Sequence, residues 1–91
     1  MKIRWTEGAF RNLYQVEEYI AQDNPSAAVA TVNKIIDSAL MLADYPTIGK
    51  RGREQGTREL VVAGPSFIVI YAVRREELVI IRVLHTAMKY P

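Results

Sequence analysis

A chain of 91 residues, 49% hydrophobic and 24% charged with a net charge of +2, has room for one domain over residues 1–91 and is too apolar and too nearly neutral to be disordered. Having no cysteine, it can build no disulfide framework, thiolate metal site or cysteine nucleophile; its one histidine, His85, leaves no cluster for a metal, so neither metal nor cofactor is expected. The longest apolar run, Phe67 to Val73, is seven residues against the roughly 20 of a membrane helix, and the opening MKIRWTEGAF lacks the apolar stretch of a secretory leader.

Those features predict a cytoplasmic protein without a membrane partner. A domain this small buries only about 60–65% of its unfolded surface, so a partner covering apolar area would stabilise it. Charge is unevenly spread. Residues 1–48 hold four cations against six carboxylates, net −2, and residues 49–91 hold eight against four, net +4. The basic half fits an acidic protein or nucleic acid, or is an ordinary solvated surface.

Residues 2–6 read as a short strand, with Ile3 and Trp5 on one side and Lys2, Arg4 and Thr6 on the other. Thr6 suits a helix N-cap, with Glu7 in the first turn. Ala9, Leu13, Val16 and Ile20 then follow at helical spacing to about residue 21. Asn24-Pro25 breaks and restarts the helix, Asn24 as cap and Pro25 at the first helical position. Ala28, Val32, Ile35, Ala39 and Leu42 carry the second helix to about Asp44, flanked by Val29, Ile36, Leu40 and Ala43. So short a link makes the two helices an antiparallel hairpin.

Tyr45-Pro46 ends the second helix, and the glycine-rich, basic stretch 46–56 reads as a loop. Three strands rich in β-branched residues follow, over about 57–63, 67–73 and 78–86. Gly64-Pro65-Ser66 and Arg74-Arg75-Glu76-Glu77 are the hairpin separators. The expected fold is α+β in the order β-α-α-β-β-β, with a mostly antiparallel sheet under a helical hairpin on one face. The 67–73 strand is apolar on both sides: Phe67, Val69, Tyr71 and Val73 on one, Ile68, Ile70 and Ala72 on the other. A face not under the helices should be polar, so loop, tail or partner is expected to cover it.

That order, with these residues, resembles the RelE/ParE toxin superfamily. The carrying features are the opening KIRWT, then Ala9…Leu13…Tyr19-Ile20, then Asn24-Pro25-Ser26-Ala27-Ala28. Leu42-x-x-Tyr45-Pro46-x-x-Gly49, Gly56-Thr57-Arg58-Glu59-Leu60-Val61-Val62, Ile70-Tyr71-x-Val73 and Arg82-Val83-Leu84-His85 complete them, so the match runs the length of the chain. The resemblance implies a toxin of a type II toxin–antitoxin pair, a growth inhibitor with plasmid-stabilising effect. It would be neutralised in a hetero-oligomer with its cognate antitoxin.

Within the superfamily, RelE-like toxins are ribosome-dependent mRNA endonucleases and ParE-like toxins poison DNA gyrase. RelE-like chains carry a catalytic arginine after the aromatic that opens the third strand, where this chain has Ile68 after Phe67. The two lysines that precede it there fall near Arg58 and Leu60, so one basic group remains, and Val83-Leu84-His85 resembles the ParE-like ending. The departures favour gyrase as target, with the ribosome and its mRNA as the alternative.

Whether the chain is an enzyme turns on a few residues. RNA cleavage by 2′-OH attack needs an acid, a base and a cation for the developing charge. His85 could be acid or base, Arg58 and Arg82 could clamp phosphate, and Tyr90 could stack on a base or donate a proton. The catalytic candidates are thus Arg58, His85 and Tyr90, and the partner or target contacts Lys50, Arg51, Arg53, Arg82 and Lys89. Each also has a plainer role. By strict alternation His85 shares the helix-facing side with Val79, Ile81 and Val83 and is then structural; Arg58 can form a surface pair with Glu59; Lys50, Arg51 and Arg53 can be loop solvation. Arg82 is a charge inside an apolar strand, which implies a paired or solvated place on the open face. Trp5 and Tyr71 are expected in the core. A simple nucleic-acid module is disfavoured by the lack of a basic recognition helix.

Overall fold

The computed structural model describes residues 1–64 and 66–86. Strand β1 (Lys2–Trp5) leads into helices α1 (Glu7–Ala21) and α2 (Pro25–Asp44), and then into β2 (Lys50–Arg51), β3 (Arg58–Val62), β4 (Phe67–Arg74) and β5 (Glu77–His85). The sheet order is β1-β5-β4-β3-β2. β1 runs parallel to β5, and the other neighbours are antiparallel. The expected α+β order is therefore met with one addition. β2, inside the stretch read as loop, pairs Lys50 with Glu59 and Arg51 with Arg58, and two residues are too short to leave an alternation signal.

The helix boundaries follow from their caps. The Thr6 hydroxyl accepts from the Ala9 amide at 3.0 Å, and the Asn24 side chain accepts from the Ala27 amide at 3.1 Å with Pro25 opening α2. Ala9, Leu13 and Val16 from α1 and Ile35, Ala39 and Leu42 from α2 pack on Val62, Phe67, Val69, Tyr71, Leu78, Ile80 and Val83. Ile3 and Trp5 pack against this core while half-buried, and Trp5 stacks on the exposed Phe10 at 5.9 Å. By length and composition α2 matches a membrane span, yet it buries Ala28, Ile35, Ser38, Ala39 and Leu42 within the domain.

The β4–β5 ladder contains an irregularity that sets which side chains reach which face. Ile70 pairs with Arg82 and Tyr71 with Ile80, so Ile81 is an extra residue without a partner on β4. Such a bulge reverses the alternation beyond it. Leu78 and Ile80 face the helices on one side of it, and Val83 and His85 do so on the other, while Val79, Arg82 and Leu84 turn to the open face. Two polar groups of α1 and its cap meet this stretch of backbone: the Thr6 hydroxyl donates to the Ile81 carbonyl at 2.9 Å, and the Val83 amide donates to the Asn12 side-chain oxygen at 3.0 Å.

The turn after α2 is held from beneath. Tyr71, fully buried, donates its hydroxyl proton to the Pro46 carbonyl at 2.7 Å and accepts from the Gly49 amide at 3.0 Å. A side chain at Gly49 would put its Cβ 2.5 Å from the Tyr71 hydroxyl and 2.9 Å from the Glu59 carbonyl, and the latter is backbone that cannot swing aside.

Two stability changes follow. Asn12→Ala leaves the Val83 amide without its partner and lowers unfolding free energy by about 1–3 kcal/mol. Gly49→Ala overpacks the turn and costs about 1–3 kcal/mol. Urea unfolding followed by far-UV circular dichroism measures both; an unchanged midpoint for either variant would contradict the role given to that contact.

Candidate functional site

The open face of the sheet is built by register. Glu59 and Val61 of β3, Ile68, Ile70 and Ala72 of β4, and Val79, Arg82 and Leu84 of β5 share it. Ala72 and Val79 are buried, Ile68, Ile70 and Leu84 are half-buried, and Val61 is 52% exposed. The face is thus an apolar platform, as the two-sided pattern of β4 predicts. The chain's own 52–57 segment reaches its rim: the Arg53 amide donates to the Glu59 carboxylate at 3.1 Å, and the Thr57 hydroxyl donates to the Glu54 carbonyl at 2.7 Å.

Arg53, Glu54, Thr57, Glu59, Ile70, Ile81 and Arg82 line a cavity of about 270 Å³ at this rim. That is below the roughly 300–1,000 Å³ usual for small-molecule sites, and it suits a side chain of a larger partner. The structure brings Arg53 and Arg82 together there, with Lys50 next to Glu59 in the ladder. Arg82 is exposed on the open face. Arg51 is exposed on β2 opposite Arg58, on the other side of the ladder from Lys50.

The remaining candidates lie on the helix side. The Arg58 guanidinium donates to the Gly49 carbonyl at 2.7 Å and to the Thr47 carbonyl at 3.2 Å, and so joins Tyr71 in fixing the turn after α2. It does not pair with Glu59, its neighbour along β3, whose side chain points to the opposite face. His85 pairs with Phe67 across the ladder, its ring edge-on to Phe67 at 4.6 Å and tilted against Tyr19 of α1 at 5.4 Å. Its Nδ1 is buried with no hydrogen-bond partner among the described residues. The helix-facing position expected of His85 is met, but the reason differs. The bulge at Ile81 breaks strict alternation, so Val79 is on the open face and only Val83 shares the side of His85.

Arg58 and His85 stand beside Tyr71 and Phe67, four residues apart along β4, or about 13 Å at 3.3 Å per residue. They do not converge on a common point, and neither shares a face with Arg82. Tyr90 and Lys89 lie outside the described residues. Sequence reading missed Asn12 and Tyr71 as polar anchors, since neither the bulge nor the turn they serve has a pattern of its own. Thr57 and Glu59 escaped it too, and the alternation that puts Glu59 among apolar open-face residues is the one signal that could have found it.

Comparison with known proteins places this geometry in a family. Residues 3–90 match the model of the ParE toxin of type II toxin–antitoxin systems. Y4kP of Sinorhizobium fredii, named as a candidate toxin, is 39% identical over 99% of this chain and 93% of its own length. Toxin RelE2 of Caulobacter vibrioides is 33% identical over 94% of this chain and 96% of its own. A chain of the chromosomal ParDE toxin–antitoxin system from P. aeruginosa superposes with a TM-score of 0.82 at 23% identity, covering 93% of this chain and 95% of that one, and shares the fold. The chain belongs to the ParE toxin family within the RelE/ParE superfamily, and it is the toxin component of a type II toxin–antitoxin system.

Proposed function

We propose that this toxin arrests growth in the cytoplasm by poisoning DNA gyrase, and that its cognate antitoxin silences it by covering the open sheet face in a hetero-oligomer. Carried on a plasmid, such a pair would stabilise its inheritance. The observation that carries the gyrase reading is the engagement of Arg58 and His85 on the helix side. Ribonuclease action needs acid, base and cation around one phosphate, and removing one stabiliser of developing charge typically costs about 10²–10³ in rate. Here Ile68 stands where RelE-like chains carry an arginine, Arg58 is bonded to two carbonyls, and His85 is wedged between Phe67 and Tyr19. Among the described residues, Arg82, Arg53 and Lys50 stand around apolar residues of the open face, which fits binding better than phosphodiester chemistry.

The same face suits an antitoxin segment with apolar side chains for Val61, Ile68, Ile70 and Leu84 and carboxylates for Arg82 and Arg53, in helix-in-groove or strand-addition mode. Expression without antitoxin is expected to stop bacterial growth, and Arg82→Ala to relieve the arrest while the variant stays folded by circular dichroism. Unimpeded growth with soluble wild-type toxin present would remove the reading.

The target is decided by two parallel assays. Purified toxin added to gyrase with relaxed plasmid is expected to inhibit supercoiling. Toxin added to translating ribosomes is expected to leave the mRNA intact. Codon-positioned cleavage lost in Arg58→Ala or His85→Ala, with supercoiling untouched, would make the chain a ribosome-dependent mRNA endonuclease instead.

A further inference from the structure

A second group of cations stands at the end of the sheet away from the Arg53–Arg82 rim. Lys2 of β1 pairs with Glu77 of β5, and Glu77 with Arg74 of β4, so the three form one row across the open face. Arg4, two residues along β1 on the same side as Lys2, bridges Glu77 at 3.1 Å. Arg75 and Glu76 make the two-residue loop that joins β4 to β5. Met1, Lys2, Arg74, Arg75, Glu76 and Glu77 line a cavity of about 680 Å³ at this corner. Lys2, Arg74 and Arg75 are exposed, and among the described residues none of the three forms a salt bridge. The rim is a separate place: Arg82 stands beside Ile70, four residues from Arg74 along β4, or about 13 Å at about 3.3 Å per residue.

The backbone singles out one of these cations. Arg75 has a φ of 59°. Two-residue hairpin turns that match the twist of the strands need a positive φ at their first central residue, a position that draws glycine, asparagine or aspartate. An arginine held there is locally strained, and such strain gathers at functional sites. We infer that this corner binds the phosphate backbone of duplex DNA, independently of base sequence.

The chemistry of the corner selects the ligand. Guanidinium groups grip phosphate oxygens bidentately, and a lysine adds a point charge. Of the two carboxylates present, Glu77 is engaged by Arg4, which leaves Lys2, Arg74 and Arg75 against Glu76. A peptide partner draws its affinity from buried apolar area, and Met1 is the one apolar residue lining this cavity, whereas the rim has Ile70 and Ile81. No aromatic side chain lines the corner, so it offers an unpaired base nothing to stack on. A duplex presents one charge per about 1.7 Å of its axis and is held through its backbone without a recognition helix. The rest of the molecule's charge orients the contact: Glu7, Glu17, Glu18, Asp37 and Asp44 lie on α1 and α2, in the layer turned away from DNA when the open face approaches it.

Fluorescence anisotropy of the full-length toxin with a labelled duplex of random sequence tests this in the absence of gyrase, ribosome and antitoxin, so the outcome does not depend on the toxin's target. With three phosphate contacts, log Kd is expected to rise with log salt concentration at a slope of about 2.7, from a Kd of roughly 10–100 µM at about 50 mM salt. Lys2→Ala, Arg74→Ala and Arg75→Gly are each expected to weaken binding roughly tenfold at that salt and to cut the slope by about one. Arg75→Gly also relieves the positive φ, so its urea midpoint stays at or above that of the wild type while its DNA affinity falls, a pair of results that a purely structural arginine would not give. Lys34→Ala removes an exposed cation from α2 and is expected to leave the affinity within about twofold, since salt screens so distant a charge. Absent or salt-independent binding overturns the proposal. So does a loss in Lys34→Ala or Arg82→Ala as large as in Arg74→Ala, or an equally tight complex with poly-glutamate or single-stranded RNA.

Discussion

One extra residue in β5 decides how the whole molecule is sorted. With strict alternation from Leu78 and Ile80, Arg82 and Leu84 would point into the helices, while Val83 and His85 would face outward. The bulge at Ile81 reverses this, so the core receives Val83 and the open face receives Arg82. The cost of a bulge is a broken ladder, and buried backbone groups left unpaired are expensive. α1 meets that cost from above: Asn12 accepts from the Val83 amide, and Thr6, already capping α1, gives its proton to the Ile81 carbonyl. The hydroxyl that starts the helix thus also ties it to the irregular strand, and helix position and strand register become one constraint.

A second anchor works at the other end of the sheet by similar means. Tyr71 is buried on the helix face of β4, and its hydroxyl spans the Pro46 carbonyl and the Gly49 amide. Arg58 adds two bonds to the same turn from β3. The turn therefore cannot drift, and the two-residue strand β2 is delivered to the edge of the sheet in register with β3. Lys50 consequently falls beside Glu59, and the 52–57 segment arrives at the rim where Arg53 and Arg82 share a cavity. An arginine read as a possible phosphate clamp is a structural tie, and the free cations owe their placement to it.

What sequence reveals here is whatever repeats. Caps at Thr6 and Asn24 and the stripes of α1 and α2 are periodic or local signals, and their boundaries agree with the structure to within a residue or so. The two-sided apolar run in β4 correctly announces an apolar open face. What fails to show is anything that breaks a period or bridges distant segments. The bulge is one residue long, β2 is two, and the bonds from Asn12 to Val83 and from Tyr71 to Pro46 join parts of the chain 71 and 25 residues apart. The position of His85 illustrates the difference. Alternation puts it on the helix side with Val79 and Ile81, whereas it reaches that side only because alternation is broken between them.

The sorting also bears on how a toxin can be silenced. Arg58 on the helix side is already bonded to two carbonyls, so a partner gains little by approaching it with carboxylates. Arg82 and Arg53 sit at an apolar platform that the described residues leave partly exposed, and a 91-residue domain gains stability from any ligand that covers it. On the proposed reading, antitoxin and target compete for the same platform, and neutralisation needs no change of shape in the toxin. Affinity then decides the outcome: the antitoxin must offer both apolar area and negative charge, and its removal exposes a face that is already formed. On that reading, the bulge that turns Arg82 outward gives the platform the charge that a carboxylate-bearing partner would meet.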